Sequence, residues 1–186
     1  MDDGTKLGAR KGLPQDLLFL TGKHPRHGWR SQPALAGVGE MWLANHDGFR
    51  ALTTGVAGQL NRIREDNETS YESGPALRNH IGRLLSGLDG HHSVEDRYYF
   101  PRFQRAEPRL ARAFAILDAD HHMIHDAIDE LATATQDSLR RLGHAQGVMT
   151  GEQRRAVDDL ARVFDRTAPI LRQHLADEED IVIPLI

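Results

Sequence analysis

The sequence predicts an all-α protein: an up-down-up-down antiparallel four-helix bundle over residues 38–186, preceded by an irregular N-terminal arm over residues 1–37. From Val38 onward apolar residues recur at helical spacing in four long stretches, and no segment alternates with period two over strand length. Short polar or Gly- and Pro-bearing breaks part the stretches, as they do between antiparallel neighbours in a bundle. A chain of 186 residues is long enough to bury one such core.

The arm, which includes GKHPRHGWRSQP, keeps no period and is expected to hold at most one helical turn, at Gln15–Leu20. The first helix carries Val38, Met41, Trp42, Phe49, Leu52, Val56, Leu60 and Ile63. After the polar stretch Glu65–Gly74, Pro75 suits a first turn capped by Ser73, and Leu77, Ile81, Leu84 and Leu88 follow. This second helix is expected to end near Pro101. Pro108 opens a third helix with Leu110, Phe114, Leu117, Ile124, Ile128 and Leu131 on one face, broken at Gly143–Gly147. Thr150 and Gln153 form a capping box for the fourth, which carries Val157, Leu160, Phe164, Leu171, Ile181 and Leu185. Pro169 lies within that last pattern and predicts a kink or an open turn.

Composition narrows the function. With 39% hydrophobic and 27% charged residues the chain is neither disordered by composition nor membrane-spanning, and no apolar run approaches the roughly 20 residues of a transmembrane helix. The first residues lack the apolar core and cleavage site of a signal peptide, so a cytoplasmic protein with no membrane partner is expected. A net charge of -4 argues against a nucleic-acid partner. The absence of cysteine excludes disulfides, thiolate metal sites and thiol nucleophiles. Eleven histidines are the conspicuous excess.

These histidines fall on the helical stripes. Steps of four and three through 77, 81, 84 and 88 continue to His91, Glu95 and Tyr98, with His92 and Asp96 each one residue off phase. The fourth helix continues to His174 and Glu178, the third to His121 with His125 one turn on, and His46 follows Trp42 by one turn on the first. At about 1.5 Å per residue, His46, Glu95 and Glu178 lie roughly 12–13 Å from one bundle end, His91, His121 and His174 roughly 18–20 Å, and His125 about 25 Å. The pattern H-x-x-x-E-[DE]-x-x-x-x-P also occurs twice, from His91 to Pro101 and from His174 to Pro184. Its i, i+4 spacing sets imidazole and carboxylate on one helix face within reach of a shared metal. Buried charge must be paired or metal-bound, so a metal site outweighs a structural histidine cluster. Of the other histidines, His24, His27 and His144 read as loop residues, His92 and His122 lie off the stripe, and His80 borders the core. Trp42, Tyr98 and Tyr99 read as core aromatics.

Five imidazoles and two carboxylates without sulfur suit iron, zinc, copper or manganese better than calcium or magnesium. Seven ligands exceed one tetrahedral zinc site, two carboxylates able to bridge favour a dinuclear centre, and in a bundle core iron leads. Through His46, the HxxxE of His91 and Glu95, the HxxxH of His121 and His125, and the HxxxE of His174 and Glu178, the chain resembles the hemerythrin-like family of HHE cation-binding domains over about residues 38–186. The resemblance implies a non-heme di-iron centre of two iron ions, oxo- or hydroxo-bridged. His46 and His91 would serve one iron, His121, His125 and His174 the other, and Glu95 and Glu178 would bridge them. Oxygen-carrying relatives place the last carboxylate five residues after its histidine, here Glu179, but Glu178 has the better phase. The expected role is binding of dioxygen or nitric oxide for sensing, storage or carriage. The alternative is an enzyme of peroxide or nitric oxide detoxification or of iron–sulfur repair. No catalytic acid or base stands apart from the ligands. The arm is expected to pack across the bundle end near His46 and restrict access to the metals.

Overall fold

The computed structural model describes residues 3–65, 70–143 and 148–186. Among them there is no strand: the long elements are helices α1 (Val38–Glu65), α2 (Ser70–Val94), α3 (Phe100–Ala106), α4 (Ala111–Leu142) and α5 (Gly151–Val182). A π-helical turn, Glu95–Tyr99, joins α2 to α3 without a break, so these two form the single second helix of the predicted four.

Both ends of that second helix differ from expectation. It begins at Ser70, which leaves Pro75 inside it rather than in a first turn capped by Ser73. A proline so near the start interrupts only one backbone bond. The helix also passes Pro101 and ends at Ala106. In a regular α-helix Pro101 would lack its donor and press its ring on the carbonyl four residues back. The π turn relieves this by widening the ladder, with the Phe100 N–H bonded to the Glu95 carbonyl five residues behind. The wider turn advances the phase, and Tyr98, in step with the stripe by simple extrapolation, is 63% exposed. Tyr99 meets the Trp42 ring edge-on at 5.0 Å instead, and Phe100 is buried.

The remaining boundaries follow the sequence signals. Leu142 ends α4, and Gly143 takes φ +57° while its N–H bonds the Leu139 carbonyl at 3.1 Å. His144 and the rest of that predicted break lie outside the described residues. The capping box of α5 is formed: Thr150 N–H donates to Gln153 Oε1 at 2.8 Å, and Gln153 N–H to Thr150 Oγ1 at 3.3 Å. Helix α5 runs unbroken through Pro169.

The chain divides into two compact units, one of Met1–Gly48, Gly90–Ile124 and Pro169–Ile186, the other of Phe49–Asp89 and His125–Ala168. The first unit holds the opening turns of α1 and α4 and the closing turns of α2 and α5. That alternation of direction is what an up-down-up-down bundle requires. Its core joins Trp42, Phe100, Phe114 and Ile181 to Leu13, Leu17, Trp29 and Leu35 of the arm. The arm holds short 3₁₀ turns at Gln15–Leu17, Arg26–Ser31 and Pro33–Leu35, more than the one turn expected. Trp29 can be buried there because its indole N–H donates to the His24 carbonyl at 2.7 Å. The second unit buries Val56, Leu60, Ile63, Leu77, Ile81, Leu84, Leu88, Leu131, Val157, Leu160 and Phe164, the stripes read from the sequence. Truncating Trp29 to alanine should therefore destabilise the protein by about 3–5 kcal/mol in urea unfolding. Val148→Ala, at a position 80% exposed, should change stability by less than about 0.5 kcal/mol.

Candidate metal centre

Helices α1, α2 with its π turn, α4 and α5 each bring histidine or glutamate to one place. His46 of α1, His91 of α2, Glu95 of the π turn and Glu178 of α5 form one group with ligand atoms within 4.8 Å of one another. His92 of α2, His121 of α4 and His174 of α5 form a second group on the same measure. The carboxylates link them. Glu95 sets Oε1 2.9 Å from His91 Nε2 and Oε2 3.6 Å from His121 Nε2. Glu178 sets Oε1 3.3 Å from His46 Nε2 and Oε2 3.2 Å from His174 Nε2. Each carboxylate thus offers one oxygen to each group.

The structure gathers His46, His91, Glu95, His121, His174 and Glu178, but not His125. The His125 side chain is 40% exposed, with Nδ1 3.8 Å from Asp89 Oδ1. Four residues beyond His121 it lies about 6 Å further along α4, past the layer where the other ligands meet. His92, read from the sequence as off the stripe, is fully buried and stands with His121 and His174. An inward helix face is more than 100° wide, so Leu88 is followed inward by both the three-step His91 and the four-step His92. The adjacent pair divides between the two groups, and the five-imidazole, two-carboxylate count is kept. The doubled histidine at 91–92 was the available sequence signal.

A ring of carboxylates lies behind the imidazoles. Nδ1 of His46 is 3.0 Å from Glu179 Oε1, Nδ1 of His121 is 2.8 Å from Asp96 Oδ1, and Nδ1 of His174 is 3.3 Å from Asp120 Oδ2. An imidazole that donates Nδ1–H outward keeps the Nε2 lone pair free to face inward, the arrangement typical of metal-ligating histidine. Inside, Nε2 of His121 and His174, both Glu95 oxygens and Glu178 Oε2 are buried and face one another or His91 without an aligned hydrogen bond. Such groups are costly unless something satisfies them, and a nitrogen- and oxygen-binding cation does so. The donor set fits a metal.

Charge is strongly partitioned before any metal binds. Burial disfavours the His46 cation, but Glu178 and Glu179 outweigh it and raise the imidazole to about 9. Burial lowers His91 to about 4, reinforced by the charges of His46, His174 and His121, and pushes His92 down further still. Burial raises Glu95 well above the carboxylate range, and the neighbouring Glu178 adds to it. For Glu178 burial is overcome by His46 and His174, which hold it well below. Trp42 fixes the same carboxylate by donating its indole N–H to Oε1 at 2.5 Å.

A cation that takes His46 Nε2 must displace a proton held up to about pH 9. Apparent cobalt(II) affinity should rise by about tenfold per pH unit for each proton displaced, then flatten above about pH 9. Titration calorimetry in buffers of different ionisation enthalpy reads the proton release, and an affinity constant from pH 6 to 9 would remove His46 from the ligand set. His92→Ala should lose at least half the bound metal by elemental analysis, whereas His125→Ala should keep it.

Comparison with curated proteins and with solved structures gives no significant match. A family profile described as the hemerythrin HHE cation binding domain matches residues 38–186. That span holds both histidine groups and the two linking glutamates, and it leaves the arm outside. The chain therefore belongs to the hemerythrin HHE cation-binding domain family, whose domains bind metal cations.

Proposed function

We propose that this protein is a non-heme di-iron protein that binds a small diatomic ligand, dioxygen or nitric oxide, for sensing, storage or carriage in the cytoplasm. The observation that carries the reading is the pair of linking carboxylates, Glu95 and Glu178, each with one oxygen toward either histidine group. His46 and His91 would hold one iron and His92, His121 and His174 the other, with both glutamates shared. Two irons so held would supply the electrons and the affinity for a diatomic gas that such a role needs.

The protein's own part is to hold, shield and select. Trp42 lies edge-on to His91 at 6.0 Å between ring centroids, and Tyr99 meets Trp42 in the same manner. On the other side Phe100 stacks on His121 at 5.3 Å, backed by Phe114 at 5.1 Å. Aromatic walls of this kind favour a small neutral ligand over a charged substrate. Among the described ligand residues His91 has the most exposed side chain, at 10%, which points to access from the side of the two-histidine group. Among the described residues no helix is long and apolar enough to cross a membrane.

Anaerobic loading with ferrous iron should give about two irons per chain, because the two groups share their bridges and fill together. Exposure to dioxygen or nitric oxide should then produce an absorption band that reverses when the gas is removed. Uptake of a single zinc with no iron would end the di-iron reading. Sustained consumption of peroxide or nitric oxide with no stable adduct would replace the binder with an enzyme.

A further inference from the structure

The arm reaches the metal centre although it lies outside the family match at residues 38–186. Gly8 adopts φ +82°, and the N–H groups of Ala9 and Arg10 both bond the Lys6 carbonyl at 3.1 Å, a tight turn that delivers Arg10 to the interior. The Arg10 side chain is 1% exposed. Its guanidinium donates from NH1 to Asp120 Oδ1 at 2.8 Å and from NH2 to Asp120 Oδ2, a two-pronged grip on one carboxylate. The remaining donors go to Asp177 Oδ2 at 2.7 Å and to the Thr5 carbonyl at 2.8 Å. Asp120 Oδ2 in turn lies 3.3 Å from His174 Nδ1.

A second chain of contacts runs to the other group. Arg26 NH1 lies 3.4 Å from Glu179 Oε2, and Glu179 Oε1 is 3.0 Å from His46 Nδ1. Arg26 is held in place by Asp180 at 2.7 Å and the Ala176 carbonyl at 2.6 Å. Its side chain is about half exposed, so its pull is weaker than that of Arg10.

We propose that Arg10 is a positioning residue of the metal centre, orienting His174 through Asp120, and that Arg26 does the same more weakly for His46 through Glu179. The inference rests on the metal-centre reading above. A bidentate guanidinium fixes the plane of the Asp120 carboxylate, which a lysine ammonium cannot do. The fixed carboxylate accepts from His174 Nδ1 and aims Nε2 at the metal. Without Arg10, Asp120 and Asp177 would be left as two buried carboxylates with no cation between them, and Asp120 could turn away from His174.

The test uses the full chain loaded with cobalt(II), with release to a chelator and the visible d–d spectrum as readouts. Arg10→Met should release cobalt about tenfold faster or more and shift the spectrum, the usual consequence of removing an outer-shell partner. Arg10→Lys should fall between it and the wild type, and Arg26→Met should show a smaller change. Leu17→Ala, at a buried apolar arm residue with no polar group to offer these carboxylates, should melt lower yet keep the wild-type spectrum and release rate. A folded Arg10→Met with wild-type spectrum and release overturns the proposal, as does a Leu17→Ala variant that loses metal equally fast. Should Arg10→Met not fold, Arg10→Lys decides by the same readouts. A wild-type chain that takes up no cobalt defeats the metal-centre reading itself, an outcome distinct from any difference among variants.

Discussion

Two carboxylates buried side by side in a helical core, Glu95 and Glu178, are the constraint around which the first unit is built. Each is almost completely buried, and neither can be left unpaired in that setting. The surrounding side chains answer in layers. Imidazoles from α1, α2, α4 and α5 face the two glutamates, outer carboxylates at Asp96, Asp120 and Glu179 face the imidazoles, and arginines at positions 10 and 26 face two of those carboxylates. Outside the imidazoles, carboxylate and guanidinium alternate in sign. Each layer fixes the rotamers of the layer inside it, which is how a site on separate helices reaches the precision that metal binding needs.

The π turn at Glu95–Tyr99 is part of this construction. The second helix has to present Glu95 inward, set Asp96 behind His121 and pass Pro101, whose ring would crowd the carbonyl four residues back in a regular turn. One wider turn meets all three demands: it carries the proline, keeps Glu95 between the groups, and leaves Asp96 2.8 Å from His121 Nδ1. π turns concentrate at functional positions for this reason, since they re-aim side chains at the cost of one strained turn.

The helices, their stripes and most of the residues gathered in the two groups were legible because burial imposes a period on the sequence, and a histidine or glutamate in phase with leucines stands out. Two things were not legible. Extrapolating a stripe by one step at a time passes over His92, because a broad inward face admits both i+3 and i+4. It also assigns Tyr98 to the core, because nothing in a hydrophobic period announces a π turn; only Pro101 hinted that the ladder had to change there. The same reading carried the ligand stripe of α4 one turn on to His125, which lies in neither group. A helical period fixes face far better than it fixes the layer at which separate helices meet.

The last question is why an arm without helical period is bound so closely to this centre. Helix α5 ends in four consecutive acids, Asp177, Glu178, Glu179 and Asp180, where the helix dipole is unfavourable to negative charge. Successive residues turn by about 100°, so four in a row sweep the circumference and only one can face the centre. Glu178 does so. The others need cations elsewhere, and the arm brings them: Arg10 takes Asp177, while Arg26 takes Asp180, reaches Glu179 and also donates to the Ala176 carbonyl. A bound cation at the centre can offset only the inward charge. The outward charges would repel one another and loosen the last turns of α5, together with Glu178, were the arm not seated on them. The acidic run that supplies Glu178 therefore creates the need for the basic arm, and the arm in turn reaches Asp120 and Glu179 behind the imidazoles.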